Sequence, residues 1–242
     1  MGFFPMGDSA EPGSGVALYT SDPRGVMPLG AEWAGHGGRA AAWPRSLRAS
    51  VRGGCGGRVR VTSDRAFERV VRACAASRRA GADGEGGWIN PWIERAYSAM
   101  FAAGLAHSVE AWLVEPRPGE GAPARGAEYE GRLIAGLYGV HLGGAFFGES
   151  MFHDAAAGVP DAGKVCLVQL VHHLRRRGVR LLDTQVVTPA TAALGAIEVP
   201  PEAYLARLES ALRAQVGWGT LDPAATAREL TDPRLCGRPG AP

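Results

Sequence analysis

The sequence predicts an α+β fold, with one central mixed sheet and helices on its faces. Segments with apolar residues at helical spacing and apolar runs of strand length both occur, and they follow one another in the order helix, antiparallel strands, helix, strand, helix. A chain of 242 residues fits one large domain or one domain with a smaller appendage. We divide it into a small, irregular N-terminal portion (1–60), a main domain (61–217) and a loosely ordered tail (218–242).

Four helices are predicted from spacing and end signals. Ser63 or Asp64 caps the first, whose apolar residues include Phe67, Val70 and Val71. Asn90 with Pro91 begins the second and Gly104 ends it. The third and fourth cover 161–177 and 201–215.

Five apolar segments of strand length are predicted at 15–20, 106–114, 133–142, 145–152 and 179–187. Gly143 and Gly144 indicate a hairpin turn between the third and fourth. A Pro- and Gly-rich stretch at 116–126 indicates a long loop before the third, and another Gly-rich loop is predicted at 81–87.

Composition excludes several classes of protein. The four cysteines are scattered without metal-ligand spacing, so we expect free thiols, no metal site and a reducing compartment. No apolar run approaches the length of a membrane span, and the first residues do not form a signal peptide. We therefore expect a cytoplasmic protein that does not bind membranes.

Positive charge is concentrated between residues 39 and 79, where eleven arginines accompany two acids. Such a segment attracts polyanions. Lys164 is the only lysine, so arginine is this chain's default cation and the cluster carries less weight than it otherwise would.

Asp183 and Gln185 are the first candidates for chemistry, because they interrupt an apolar strand two residues apart and would project from the same side. A buried acid is costly unless it is paired or hydrogen-bonded. Glu149 is a second acid among bulky apolar residues, next to Gly148. Each acid also has a purely structural interpretation. Asp183 would end its strand and cap the following turn, and Glu149 would lie on the one polar face of its strand.

Other groups are weaker candidates. His107, Ser108 and Glu110 do not form a nucleophilic triad, because adjacent strand residues point apart and no nucleophile elbow is present. His172 and His173 lie near three arginines and are expected at the surface. The Gly-rich stretches match neither a P-loop nor a dinucleotide fingerprint.

Eleven short runs taken together resemble the leucyl/phenylalanyl-tRNA–protein transferase family and follow its order. AHSVEAW, AGLYGV and FGESMF are the most specific. The runs are 21–26, 45–48, 61–67, 74–75, 88–89, 96–97, 106–112, 135–140, 147–152, 182–186 and 194–196.

The resemblance implies an acetyltransferase-like (GNAT-type) catalytic domain with a truncated N-terminal domain, no cofactor, and a monomer. The donor would be leucyl-, phenylalanyl- or methionyl-tRNA. The acceptor would be a protein beginning with Arg or Lys, which the transfer marks for degradation.

Site residues follow from the same resemblance. Asp183 would polarise the network and hold the amine, Gln185 would accept or relay its proton, and Glu149 would be a neighbouring polar contact. Trp88 would help to hold the aminoacyl end. The pocket for the donor's side chain would be lined by Leu137, Phe146, Leu167, Leu170 and Leu182. Weaker candidates for tRNA contacts are Arg45, Arg48, Arg60 and Arg65.

Departures from the family pattern lie mostly near the N-terminus, where Met6 replaces a tryptophan associated with the terminal adenosine. Two other functions stay open. An acyl-CoA-dependent N-acyltransferase on the same fold would need a Gly-rich pyrophosphate loop before the helix at 161, and none is found. A non-catalytic module that binds tRNA or protein N-termini would not need Asp183 and Gln185.

Overall fold

A computed structural model of the chain describes residues 2–9, 11–38, 43–79, 87–114 and 131–232. The predicted loop at 116–126, most of the one at 81–87, Arg39 and the tail from 233 onward lie outside these residues. Two sheets are present in the described part, one of two strands and one of seven. The strands are β1 (Phe4–Gly7), β2 (Val16–Tyr19), β3 (Arg24–Val26), β4 (Val59–Ser63), β5 (Ala106–Leu113), β6 (Arg132–Leu142), β7 (Ala145–His153), β8 (Leu181–Gln185) and β9 (Ile197–Val199).

Helices cover both faces of the large sheet, which confirms the predicted mixed α+β class. They are α1 (Arg45–Arg52), α2 (Gly54–Gly57), α3 (Phe67–Arg79), α4 (Pro91–Ala102), α5 (Ala162–Arg177), α6 (Pro189–Ala192), α7 (Pro201–Leu212) and α8 (Pro223–Glu229). Two short 3₁₀ turns lie at Ala34–His36 and Ala155–Ala157. No helix among the described residues is both long and apolar enough to cross a bilayer.

The residues predicted to begin and end α4 have those roles in the structure. The Asn90 side chain accepts hydrogen bonds from the backbone N–H groups of Trp92 and Ile93 at 3.1 and 3.0 Å, and Pro91 occupies the first helical position. Gly104, in the left-handed region at φ 71°, follows the helix end. Gly143 has φ 58° at the predicted turn between β6 and β7.

Strand order in the large sheet is β4-β5-β6-β7-β8-β3-β9. Neighbours are antiparallel except β7 and β8, which pair in parallel from Ala145↔Leu181 to Phe147↔Asp183. The helix α5 makes the connection that a parallel pair requires. Residues 24–26, assigned above to the N-terminal portion, thus lie inside the main sheet between two strands from the end of the chain. The predicted domain boundary at residue 60 stays a prediction.

Three apolar clusters fill the space between the sheet and the helices. Leu137, Phe146 and Leu182 pack with α5 on one face. On the opposite face, Tyr138 packs with α3 and α4, and Leu181 packs with α7. Leu181, Leu182 and their neighbours therefore alternate between faces, as strand residues do.

The described part of the predicted tail is packed rather than loosely held. Trp218, Leu221 and Leu230 are buried in the cluster around α5, and α8 lies against α1 and α5. Burial of these three side chains stabilises the segment, because each removes a large apolar surface from water, and Arg176 adds hydrogen bonds to Thr226 and Glu229.

The expectation that His172 and His173 lie at the surface is wrong. Their exposed fractions are 5% and 1%. The Nδ1 of His172 contacts the Glu229 carboxylate at 2.6 Å, and the His173 ring meets the Trp218 ring edge to face at 4.5 Å. The segment after residue 217 covers this side of α5. The two histidines of α5 are therefore enclosed by elements that are distant in sequence.

Candidate active site

Asp183 is completely buried, and its carboxylate is surrounded by hydrogen-bond donors. Arg24 donates from Nε to Oδ1 at 3.0 Å and to Oδ2 at 3.2 Å, and from Nη2 to Oδ2 at 2.7 Å. The Tyr204 hydroxyl donates to Oδ2 at 2.6 Å, and the backbone N–H of Gln185 donates to Oδ1 at 2.7 Å. These are the partners that a buried acid needs, and they come from β3, α7 and β8.

Arg24 is itself enclosed by two aromatic rings. Its guanidinium carbon lies 5.3 Å from the centre of the Phe4 ring and 5.1 Å from that of Tyr204. Both separations suit a cation–π contact. With 2% of its surface exposed, Arg24 forms a buried ion pair with Asp183, and removing one member of such a pair typically costs about 3–5 kcal/mol because a buried charge is left uncompensated.

Gln185 has a backbone conformation that its side chain does not favour. Its φ is 63°, in the left-handed region, where a residue other than glycine costs on the order of 1–2 kcal/mol. Both of its backbone groups are held: Asp183 accepts from the N–H, and the Ser21 hydroxyl donates to the carbonyl oxygen at 2.5 Å. The end of β8 is therefore fixed by the run 21–26.

The side chain of Gln185 reaches across to β7. Its Nε2 donates to Oε2 of Glu149 at 3.1 Å. Glu149 is two residues beyond Phe147 and Gln185 two beyond Asp183, the last parallel pair of β7 and β8. The amide–carboxylate contact thus spans the place where ladder pairing between these strands ends.

The Glu149 carboxyl has a pKa well above its usual value. Burial raises the pKa of its carboxyl to about 7, against the lowering effect of the Tyr97 hydroxyl and the Gln185 amide. The nearby charge of Asp183 raises the pKa further, and that of Arg24 lowers it. A carboxylate that titrates near neutral pH can take up and release a proton under ordinary conditions.

Tyr97, on α4, completes the surroundings of Glu149. Its side chain is buried, and its hydroxyl lies beside the Glu149 carboxyl and lowers the pKa of that group. Burial raises the pKa of this phenol well above its usual value, so it remains protonated. The hydroxyl is accordingly a hydrogen-bond donor beside Glu149.

All five predicted pocket residues lie in one apolar cluster, on the α5 face of the sheet. Leu182 and Asp183 are neighbours on β8, so the pocket residues and the Asp183 carboxylate lie on opposite faces. The contact between Glu149 and Gln185 lies just beyond the last parallel pair of β7 and β8, next to both sets of residues along the strands. The cluster is lined by Leu137, Phe146, Leu167, Leu170 and Leu182.

The β1–β2 hairpin connects Trp88 with the ion pair. Trp88 is partly exposed in the loop before α4, and its carbonyl oxygen accepts a hydrogen bond from the Gly7 N–H at 2.9 Å. Phe4, three residues earlier on the same strand, lies on the Arg24 guanidinium. The hairpin also carries Tyr19, directly opposite Phe4 in register and 45% exposed.

The candidate tRNA contacts lie along one edge of the sheet. Arg45 and Arg48 are on α1, Arg60 is on the edge strand β4, and Arg65 is in the turn before α3. Arg45 and Arg65 are exposed, whereas Arg48 and Arg60 are partly buried. The short helix α2 contacts both α1 and β4, which makes this edge continuous.

Sequence reasoning did not nominate Arg24, Tyr204 or Tyr97. Arg24 lies in one of the matching runs, and this was the one available signal for it. Tyr204 looks like an ordinary apolar position of an amphipathic helix, and only the fold places its hydroxyl on Asp183. Across the described ranges, no group of three or more His, Cys, Asp or Glu side chains is placed to hold a metal ion.

Comparison with known proteins identifies relatives of this chain. Residues 39–209 match the model of the leucyl/phenylalanyl-tRNA protein transferase family. A leucyl/phenylalanyl-tRNA–protein transferase of Rubrobacter xylanophilus is 45% identical over 212 residues, which cover 88% of this chain and 90% of that protein. Proteins of the same name from Caulobacter vibrioides and Rhizorhabdus wittichii are 42% and 41% identical, over 87% and 90% of this chain and 81% and 74% of theirs.

The matched region contains β4 to β9 and the first part of α7, and therefore Glu149, Asp183, Gln185 and the pocket residues. Such identity over most of both chains establishes common membership. The chain belongs to the leucyl/phenylalanyl-tRNA–protein transferase family, a family of transferase enzymes.

Proposed function

We propose that this enzyme moves leucine, phenylalanine or methionine from aminoacyl-tRNA to the N-terminal α-amine of proteins that begin with Arg or Lys. The product is a protein marked for degradation, and the reaction takes place in the cytoplasm with the enzyme as a monomer. Family membership supports the transfer from leucyl- or phenylalanyl-tRNA. A seven-stranded mixed sheet with helices on both faces supports an acetyltransferase-like catalytic domain.

The reaction is the aminolysis of an ester. The acceptor's amine nitrogen forms a bond to the carbonyl carbon, the bond from that carbon to the tRNA ribose oxygen breaks, and a proton passes from the amine to the released oxygen. The enzyme must orient the two reactants, take up and return that proton, and stabilise the developing oxyanion. No metal or organic cofactor is required by this chemistry.

The observation that carries the proposal is the contact between Gln185 and Glu149. Glu149 titrates near neutral pH and is partly exposed, so we assign it the proton transfer. A carboxamide does not titrate in this range, so Gln185 serves as a donor to Glu149 and offers its carbonyl oxygen to the amine. Tyr97 is the proposed donor to the oxyanion.

This assignment changes the part of Asp183. The resemblance implied that Asp183 holds the amine directly, but both of its oxygens are engaged by Arg24, Tyr204 and Gln185 and none of its surface is exposed. We therefore propose that Asp183 acts through Gln185. The apolar cluster below the gap between β7 and β8 receives the donor's side chain. An apolar pocket separates side chains by only about 1–3 kcal/mol per methylene, which fits acceptance of Leu, Phe and Met.

A transfer assay tests the proposal. The protein is incubated with labelled Leu-tRNA and a peptide beginning with Arg, and label in the peptide is measured. We expect transfer to this peptide, and none to the same peptide with an acetylated N-terminus, since the nucleophile is then blocked. Replacing Leu-tRNA by leucyl-CoA distinguishes the acyl-CoA-dependent alternative. Transfer from the CoA ester alone, or no transfer from either donor, would contradict the proposal.

A further inference from the structure

Two side chains from opposite ends of the chain enclose the Asp183 carboxylate. Arg24 comes from β3, 159 positions earlier, and Tyr204 from α7, 21 positions later. Five hydrogen-bond contacts end on its two oxygens, four from these side chains and one from the Gln185 N–H. A carboxylate has about four acceptor sites, so no site is left for a substrate.

The enclosed carboxylate has one contact that leads toward the gap between β7 and β8, and this is the contact to the Gln185 N–H. That residue's left-handed backbone directs its side chain across to Glu149. The orientation of the amide donor therefore depends on where Asp183 is held, which depends in turn on Arg24 and Tyr204.

We propose that Arg24 and Tyr204 are positioning residues for the transfer reaction: they fix Asp183 so that Gln185 keeps its amide on the Glu149 carboxylate. The inference rests on the proposed function, because it concerns the same site. Neither residue touches the substrate in this arrangement. Their effect is transmitted through Asp183 and Gln185 to the group that moves the proton.

Two conservative variants separate geometry from charge. Arg24→Lys keeps the positive charge but replaces the planar fork by a single ammonium, which cannot bind both carboxylate oxygens in the same way. Tyr204→Phe keeps the ring beneath Arg24 and removes only the hydroxyl. Arg207→Lys is the matched control, since Arg207 is on the same helix as Tyr204 but lies over the Trp33 ring at 5.4 Å.

Steady-state kinetics give the first measurement. We expect kcat to fall about 10-fold in Tyr204→Phe and about 100-fold in Arg24→Lys, since misplacement of a catalytic group by about 1 Å costs on that order. The KM for Leu-tRNA should change less than twofold, because the pocket and the basic edge are untouched. The control Arg207→Lys should keep both constants.

Titration of Glu149 gives a second measurement that does not require activity. Carboxyl resonances of protein labelled with ¹³C at glutamate are followed against pH, and Glu149 is assigned by its loss in Glu149→Gln. The Gln185 amide lowers the pKa of this carboxyl. Arg24→Lys and Tyr204→Phe should therefore both raise the Glu149 pKa relative to the unmodified protein and to Arg207→Lys.

The two measurements separate the failure of this inference from the failure of the proposed function. Transfer activity in the unmodified protein with kcat and the Glu149 titration unchanged in folded Tyr204→Phe would overturn the positioning role. A raised Glu149 pKa in Tyr204→Phe supports the positioning role even in a protein that transfers no amino acid. In that case only the proposed function fails. If Arg24→Lys does not fold, Tyr204→Phe alone decides.

Discussion

At the scale of single residues, the site contains two carboxylates in unlike surroundings. Asp183 is buried against a guanidinium and a phenol. Glu149 has neutral groups, the Gln185 amide and the Tyr97 hydroxyl, as its donors, and burial raises its pKa to about 7. Two acids with different environments can have different roles, one structural and one in proton transfer.

Replacing Glu149 by Gln should lower kcat/KM by about 10²–10⁴, because a positioned base contributes that much. In the unmodified enzyme kcat/KM should fall as pH drops below about 7, the value to which burial raises the pKa of Glu149. The acceptor's α-amine, with a pKa of about 7.7–8, adds a second dissociation to the same limb. A plot of log(kcat/KM) against pH should therefore approach a slope of two on its acid side, and a slope of one in Glu149→Gln. A slope of two in the variant would exclude Glu149 as the base.

Replacing Asp183 by Asn should affect both stability and turnover. The change leaves the Arg24 charge buried without a partner, so we expect a loss of about 3–5 kcal/mol in the free energy of unfolding. The double variant Arg24→Met with Asp183→Leu removes both charges and should recover much of that stability. It should stay inactive, because nothing then fixes Gln185. Denaturant melts beside the transfer assay measure both quantities, and full activity in either folded variant would contradict the site.

Local patterns in the sequence were sufficient to nominate Asp183, Gln185 and Glu149, because polar residues in apolar strands are visible within a few positions. Arg24 and Tyr204 could not be found in this way. Their significance comes from contacts across 159 and 21 positions, which depend on β3 entering the sheet between β8 and β9 and on α7 packing against β8. The same reason explains the error at His172 and His173, which are buried by a segment more than 40 residues further along the chain.

At the scale of elements, strand and helix bounds were predictable where end signals are strong. The predicted strands at 106–114, 133–142 and 145–152 correspond to β5, β6 and β7, and Asn90 and Gly104 mark α4 as expected. The three-residue strands β3 and β9 were not predicted, because their short sequences have no period of their own. Pairing with neighbours in the sheet defines them.

The β1–β2 hairpin offers a substitution that tests how the enzyme binds the aminoacyl end of tRNA. Met6 lies on β1 next to Gly7, whose N–H contacts the Trp88 carbonyl. Stacking of a base on an aromatic ring contributes about 1–3 kcal/mol. Met6→Trp should therefore lower the KM for aminoacyl-tRNA by roughly 5- to 100-fold with kcat unchanged. Met6→Leu serves as the control, and an unchanged KM in Met6→Trp would place the terminal adenosine elsewhere.

At the scale of the whole molecule, charge is distributed unevenly although the formal net charge is only +2. Affinity for tRNA should fall steeply with salt, because bound arginines release counterions from phosphates. Replacing exposed Arg45 or Arg65 by Gln should reduce the slope of log K against log salt by about one each. Arg180→Gln, an exposed site outside the basic segment, is the control. Titrations at several salt concentrations measure this, and a slope that does not differ from the control would remove these residues from the interface.

Acid should destabilise the protein through its buried histidines. Burial lowers the pKa of His173 to about 4 and also lowers those of His141 and His172. Between about pH 6.5 and 4 the unfolded chain thus binds a proton at His173 that the folded protein does not, and the lowered pKa values of His141 and His172 act in the same direction, so folding stability falls as pH falls. His173 contributes up to about 1.4 kcal/mol per pH unit in this range.

The raised pKa of Glu149 acts in the opposite sense between about pH 4.5 and 7, so the histidine effect is isolated by comparison of variants. His173→Gln should lose less stability per pH unit than the unmodified protein from pH 6.5 to 5. The exposed His36→Gln should behave like the unmodified protein. Equal slopes in His173→Gln and the unmodified protein, from denaturant melts at each pH, would show that His173 does not titrate as its burial implies.

The position of β3 also has a consequence for synthesis of the protein on the ribosome. This strand leaves the ribosome early, yet its sheet neighbours β8 and β9 are translated roughly 160 and 170 residues later, about 10–30 s at typical bacterial and eukaryotic rates. During that interval Arg24 has no carboxylate partner, and the strand's backbone groups remain unpaired and open to chaperones or to other nascent chains. A nascent chain therefore cannot form the buried ion pair of Arg24 with Asp183 until β8 has emerged, and a chain released before that point lacks the pair altogether.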